Sequence, residues 1–279
     1  IEAMMQDRKA LQAGTSHFLG QNFSKVSGIK FLGKEGKEEY AWTTSWGVST
    51  RLIGAVIMCH GDDDGLIAPP RIAPAHVVIL PVVPKDGDRD AILAHCRQLR
   101  DELTELHYHG EPLRVELDDR DLRGGEKLWQ WIKKGVPLTV EVGPRDIESE
   151  SVYLGRRDQG PKQRRGLCRA EFLATATSVL DEMQAAMLEQ ATQFRDDNSV
   201  TIESEADFHD FFTPANTGKK EMHGGFAYVY WGGDAEIEER LRRELKVSIR
   251  CLPFGHEETG NCLFTGKPNS RRVVFSKAY

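Results

Sequence analysis

Two stretches near the start of the sequence hold residue types that could do chemistry. In Leu11-Gln12-Ala13-Gly14-Thr15-Ser16-His17-Phe18-Leu19-Gly20-Gln21-Asn22-Phe23, small residues let a backbone approach a ligand. Gln12, Thr15 and His17 supply donors and acceptors along what reads as an extended strand. Taken alone, the pattern is better explained as a polar strand beside a turn. The second stretch, residues 42–58, carries a strand through Gly47 into an apolar helix whose first turn holds Ser49, Thr50 and Arg51. Backbone N–H groups, hydroxyls and a guanidinium converge at that helix start, which describes an anion site. An arginine in a first turn is commonly only surface, but the hydroxyls and the flanking Trp42 and Trp46 weigh against that plainer reading. A third feature is electrostatic. Residues 155–169 carry six basic side chains (Arg156, Arg157, Lys162, Arg164, Arg165 and Arg169) against Asp158, a net +5 inside a chain of formal charge −6. A run of this kind is usually a solvated face; beside a Gly-Pro turn it also suits tracking of phosphates.

The elements that must position these residues follow from periodicity and breakers. The chain has 279 residues, of which 39% are hydrophobic and 29% charged, enough for two or three domains and without the composition of disorder. Ala68-Pro69-Pro70-Arg71-Ile72-Ala73-Pro74 can be neither regular helix nor central strand, so it reads as a linker. After it, the apolar run at 76–83 predicts a strand buried on both faces, 88–107 a helix, 113–117 a strand, 126–134 a helix and 137–142 a strand. Strands alternating with helices predict a mainly parallel sheet. A long helix is expected over about 169–195, and the last block is mixed, with strands at 225–231, 247–252 and 272–275 and a charged helix at 234–245. No apolar run approaches the roughly 20 residues of a bilayer span, and the five cysteines are odd in number and scattered, which argues against a disulfide framework. A reducing, cytoplasmic setting with no membrane and no DNA partner is expected. The net acidity excludes a surface that grips nucleic acid everywhere, while leaving room for a local patch.

At the first two stretches the sequence becomes recognisable. LQAGTSHFLGQNF followed by WTTSWGVSTRLIGAVIMCHGDDDGLIAPPRIAP closely resembles the second half of the catalytic domain of the prolyl-tRNA synthetases, class II aminoacyl-tRNA synthetases, in their archaeal and eukaryotic-like architecture. The resemblance continues through KGVPLTVEVGPRD and, near the end, IRCLPF and CLFTGKPNSRRVVFSKAY. It implies a multidomain α+β and α/β chain: part of an antiparallel class II catalytic sheet in residues 1–74, an α/β anticodon-binding domain in 75–187 and a mixed α/β C-terminal domain in 188–279. Arg51 matches the motif 3 arginine that binds ATP phosphates and offsets charge on departing pyrophosphate. Gln12, Thr15, Ser49 and Thr50 fall at or beside ATP positions, and His17, Trp46 and Gly47 at the proline pocket. ATP and Mg²⁺ are the implied cofactors, and tRNA(Pro), L-proline and a second copy in a homodimer the implied partners. Cys59 is read as a core residue of its helix.

Anticodon bases are splayed and are read by hydrogen bonds and stacking, so the candidates in the middle block are Trp131, Lys134, Arg145, Arg157, Arg164 and Arg165, with Trp129 assigned to the core. Where the family carries Glu before the Lys and Arg after the Pro of the KGVP text, this chain has Ile132 and Thr139. Relatives hold zinc with four cysteines in the C-terminal domain; only Cys262 stands at such a position here, so zinc is not expected and His223, Cys251 and His256 are not assigned as ligands. Aromatic packing by Phe226, Tyr228, Trp231 and Phe264 is expected in its place. Motifs 1 and 2 are expected upstream of Ile1, in a longer chain, so these residues by themselves are expected to be inactive in pyrophosphate exchange; the Lys277-Ala278-Tyr279 end is read as authentic. Two other readings remain open at this level: a tRNA-binding module without catalysis, and a related synthetase for threonine, histidine or glycine.

Overall fold

The computed structural model describes residues 1–160, 163–214 and 222–279, and the chain divides into two units: Ile1–Cys59 with Phe194–Tyr279, and His60–Gln193. The first unit opens with β1 (Glu2–Met4), β2 (Ala10–Gln12), β3 (Thr15–Gly20), α1 (Asn22–Ser27), β4 (Lys30–Leu32), β5 (Glu38–Tyr40), β6 (Thr43–Gly47) and α2 (Arg51–His60). These strands pair as three antiparallel ribbons, β1 with β2, β3 with β6 and β4 with β5. Side chains alternate across a strand, so the β1–β2 ribbon has two faces. On one, Ala3, Met5 and Leu11 pack against Ala55, Met58 and Cys59 of α2, whose spacing of three and four residues forms a single helical stripe. Cys59 is thus a packing residue, and burial pushes its thiol pKa up.

The second unit holds β7 (Val77–Pro81), α3 (Arg89–Thr104), β8 (His107–Tyr108), β9 (Glu111–Pro112), β10 (Val115–Leu117), α4 (Gly124–Lys134), β11 (Leu138–Val142), α5 (Pro144–Glu148), β12 (Ser151–Arg156), β13 (Arg165–Cys168) and most of α6 (Arg169–Asp197). Five strands form one sheet in the order β10-β7-β11-β12-β13. Central β7 is buried at every residue, and its alternate side chains serve different layers. Val77 and Ile79 pack with Leu99 and Leu103 of α3 and Phe172 and Leu180 of α6. Val78 and Leu80 pack with Val136 and with Leu128 and Trp131 of α4. Each fully buried Val or Leu here contributes about 2 kcal/mol. The sheet is less parallel than periodicity predicts: β10, β7 and β11 are parallel, but β12 and β13 are antiparallel. The reason is connection length. A parallel return needs a crossover of about a dozen residues, and the single short turn of α5 between β11 and β12 cannot supply one.

The rest of the first unit holds β14 (Ser199–Thr201), α7 (Glu205–Phe212), β15 (Phe226–Trp231), α8 (Ala235–Leu245), β16 (Val247–Cys251), β17 (Thr259–Gly260) and β18 (Ser270–Lys277). The sheet order is β14-β15-β18-β16, with β17 paired to β18. Trp231 and Phe264 do join the aromatic core, with ring centroids 5.8 Å apart, and Phe208, Phe212 and Phe275 complete it. Phe226 and Tyr228, expected in that cluster, alternate to the other face of β15, where Phe226 and Val274 pack on Ala10 and Met4 of the β1–β2 ribbon. All five cysteines are free. Among the described residues no helix is long and apolar enough to cross a membrane, and no group of three or more His, Cys, Asp or Glu could hold a metal ion.

Candidate functional site

In the first unit the two Gly- and hydroxyl-rich stretches become the β3–β6 ribbon and the start of α2. The register pairs Thr15 with Gly47, Ser16 with Trp46 and His17 with Ser45. Opposed residues share a face, so Thr15, His17, Ser45 and Gly47 lie together, and Trp46 lies on the other face with Ser16. His17 and Trp46, grouped by sequence as walls of one pocket, therefore point to opposite sides of this ribbon. Gly47 has a local reason: a Cβ there would stand 3.3 Å from the Thr15 hydroxyl oxygen. Trp46 is 76% exposed, and Phe18, on its face, stacks on Trp42 at 5.6 Å.

The helix begins at Arg51, so Ser49 and Thr50 precede its first turn rather than sit in it. The Ser49 hydroxyl accepts the Arg51 N–H at 3.3 Å, which caps the helix start. Gln12, Ser49, Thr50 and Arg51 are all exposed. Among the described residues the Arg51 guanidinium has no hydrogen bond or ion pair, which leaves a free cation beside a helix N-terminus.

In the second unit the basic run behaves differently from its text. Arg156 pairs with Asp158 at 2.8 Å and Glu182 at 3.2 Å, Arg164 with Glu141 at 2.9 Å, and Arg169 with Glu102 at 2.8 Å. Arg157, proposed by sequence as an RNA contact, is 8% exposed and forms a bidentate pair with Asp62 at 2.5 and 2.7 Å. Its remaining donors go to the carbonyls of Ile132 and Gly65 at 3.2 Å each. It therefore ties the segment after α2 to the end of α4, with four of its five N–H donors engaged and the side chain itself buried. Arg165 is exposed and unpaired among the described residues, and Lys162 lies outside them. The +5 run thus reduces to one free arginine at the start of β13, because its other described cations face Asp158 or acids from distant elements.

The two tryptophans of α4 exchange the roles expected of them. Leu128, Trp131 and Ile132 have the three- and four-residue spacing of a buried stripe, which puts Trp131 on the sheet side and leaves Trp129 45% exposed. That spacing was legible in the sequence and would have assigned both. The Trp131 indole N–H donates to Asp118 Oδ2 at 2.8 Å, and Lys134 sits 4.2 Å over its ring. Asp118 also accepts from Arg120 at 2.6 and 2.8 Å, and that guanidinium, with further donors, holds its carboxyl down to about 2. Beside them is a cavity of about 110 Å³, lined by Leu128 and Ile132 of α4, Thr139, Gly155, Gln159 and Arg164 among others. Gly155 makes that space: a Cβ there would meet the Thr139 hydroxyl at 2.7 Å and Arg164 at 3.0 Å. Leu128 and Ile132 give it apolar lining, and Gln159, Thr139 and Arg164 bring an amide, a hydroxyl and a guanidinium to the same cavity. Arg145 follows the far end of β11 from Thr139 and is exposed, so it does not join the cavity. Sequence reasoning missed Gln159 as a lining residue and the exposure of Trp129.

Comparison with known proteins agrees with this layout. Residues 76–176 match the family model described as anticodon binding domain, and residues 218–279 the one described as prolyl-tRNA synthetase, C-terminal. The chain is 51% identical over 283 residues to proline–tRNA ligase 2 of Anaeromyxobacter dehalogenans, which covers 100% of this chain and 56% of that protein. It is 52% identical over 280 residues to the proline–tRNA ligase of Bdellovibrio bacteriovorus and 53% over 280 residues to that of Rhodopirellula baltica, again with 100% of this chain and 55% and 54% of theirs. The chain thus spans about half the length of the curated relatives it matches. A five-stranded sheet flanked by helices that matches an anticodon-binding domain, followed in the chain by a second matched C-terminal domain, is in keeping with a portion of an aminoacyl-tRNA synthetase. Together the two matches and these relatives support reading the chain as the C-terminal portion of a prolyl-tRNA synthetase.

Proposed function

We propose that the whole protein of which this chain is a part attaches proline to tRNA(Pro) in two steps. The observation that carries the reading is identity of about half, over every part of this chain, to proteins named proline–tRNA ligase. In the first step a proline carboxylate oxygen attacks the α-phosphorus of ATP in line, the bond to the bridging oxygen breaks, and pyrophosphate leaves with its electron pair. In the second, a terminal ribose hydroxyl of the tRNA attacks the prolyl carbonyl carbon, gives up its proton, and releases AMP. Neither step needs a covalent nucleophile from the protein, so rate depends on positioning and on electrostatic stabilisation.

In this reading the free Arg51 guanidinium and the α2 N-terminus take phosphate charge, with Gln12, Thr15, Ser49 and Thr50 around the nucleotide. His17, with Gly47 opposite Thr15, serves the proline side, and the alternation of β6 supports Trp46 as a wall on the ribbon's other face rather than beside His17. For Mg²⁺ the described residues offer no group of three or more ligating side chains, and no step is assigned to it. The parts are 1–74, with β1–β2 and β3–β6 as strands of an antiparallel catalytic sheet, 75–187 for the anticodon and 188–279 as the C-terminal domain. The RNA side is supported best at Arg165, Lys134 and the α4 cavity with Arg164, less at Arg145 and least at Arg157. A homodimer in the cytoplasm is the expected state.

The test is aminoacylation and amino-acid-dependent pyrophosphate exchange by the full-length protein. Proline should be charged in preference to threonine by at least about 10³-fold, the discrimination a pocket built around one side chain can reach. Equal use of threonine would move the reading to a sister synthetase, and tRNA binding without exchange would reduce it to a binding module.

A further inference from the structure

Within the first unit one ion pair is nearly closed to solvent. Arg250, on β16, donates through Nη2 and Nε to Oε2 of Glu2, on β1, at 2.9 and 3.2 Å, and the two side chains are 16% and 7% exposed. A pair this dry is sensitive to loss of either member, because the survivor is left as an uncompensated charge. Its place in the register matters more than its strength. Glu2 is the direct antiparallel partner of Gln12, so Glu2, Met4, Ala10 and Gln12 share one face of the β1–β2 ribbon.

That face is seated on the C-terminal sheet. Met4 and Ala10 pack on Phe226, Val274 and Cys251, and the Tyr279 N–H donates to the Ala10 carbonyl at 3.0 Å. The opposite face of the ribbon packs on α2, the helix that begins at Arg51. The ribbon is therefore gripped on both faces, and the Arg250–Glu2 pair holds the end that carries Gln12. Gln12 itself is exposed and makes no hydrogen bond through its side chain among the described residues, so its location depends on what holds its neighbours across the ribbon.

We propose that Arg250 is a positioning residue for the nucleotide: through Glu2 it sets where Gln12 stands relative to the start of α2. This rests on the reading of Gln12 and Arg51 as ATP contacts. A group 238 positions away in the chain from Gln12 thereby governs the ATP side of the site without touching ATP.

The experiment uses the full-length protein with Arg250→Gln, Glu2→Gln, Arg250→Lys and the swap Glu2→Arg with Arg250→Glu. The KM for ATP and for proline in pyrophosphate exchange is measured together with amide hydrogen exchange of β2 and β15. Arg250→Gln and Glu2→Gln should raise the ATP KM about tenfold and leave the proline KM within about twofold, and Arg250→Lys and the swap should recover most of the loss. In both single neutralised variants the β2 amides should exchange at least about tenfold faster while β15 is unchanged. An ATP KM unchanged in Arg250→Gln, or ATP and proline constants rising together, overturns the proposal. Full-length protein with no proline-dependent exchange would remove the reading of the reaction; the hydrogen-exchange arm then still decides whether Arg250 holds the strand of Gln12, and unchanged β2 exchange overturns it.

Discussion

His76 begins the second unit's sheet almost wholly buried, 1% exposed, with its Nδ1 accepting the Arg114 N–H at 3.1 Å. Burial, and then the Arg114 guanidinium, push its pKa from 6.5 down to about 4. The folded value lies below the ordinary one, so the unfolded chain takes up the proton first. Stability from this residue is full above pH 6.5 and drains as pH falls towards 4. The shift corresponds to about 3 kcal/mol at the acid end. Urea denaturation at a series of pH values should therefore show wild type losing about that much more than His76→Gln across this window. Parallel curves for the two proteins would show that the ring does not carry the effect. Residue-scale reading of the sequence had no access to this group, because a histidine ahead of an apolar run carries no sign of which guanidinium will face it.

At the scale of elements, α4 and its neighbours decide the shape of the face proposed for RNA. Gly135 ends α4 with φ of +74°, a left-handed C-cap that a side chain strains. The Leu66 carbonyl oxygen lies 2.5 Å from where a Cβ would stand, and the Ala68 N–H donates to the Gly135 carbonyl at 3.1 Å. Gly135→Ala should cost about 3 kcal/mol, the backbone penalty plus displacement of a packed carbonyl, read as a lower urea midpoint with unchanged slope. A loss under about 0.5 kcal/mol would mean that the 65–68 segment yields freely. Most strands and helices of this unit were legible from periodicity, and Asp88, which caps α3 by accepting the Ala91 N–H at 3.0 Å, was legible as a start signal. The β12–β13 hairpin was not. Its charges masked the alternation of Val152, Leu154 and Leu167, which point into the core.

For the whole molecule, charge and partner must be weighed together. Binding of a polyanion by a net-acidic chain requires local cations, and each phosphate contact steepens the salt dependence by a fixed amount. Arg165→Ala in the full-length protein should flatten the log–log salt slope of tRNA binding by about 0.7 to 0.9 and leave thermal stability unchanged. Arg157→Ala should do the reverse, lowering stability by about 2 kcal/mol through loss of the buried guanidinium and its bonds to Asp62 and the Ile132 and Gly65 carbonyls, with no change in slope. Matching slopes for Arg165→Ala and wild type would remove that residue from the RNA path. Fluorescence titration across salt concentrations, with a melting curve for each variant, separates these outcomes.

The sequence by itself determined most of the kinds of element, the family resemblance, and which residues from Gln12 to Arg51 are candidates for a site. Periodicity, caps and turn residues act over a few positions, so they survive in one dimension. Only the tertiary structure decided which arginines are free, which tryptophan of α4 faces solvent and which strands share a face. Those outcomes depend on charges and surfaces that meet from far along the chain, Asp62 with Arg157 across 95 positions and Glu2 with Arg250 across 248. A buried charge must find a partner wherever the fold brings one, and nothing in the local text names it.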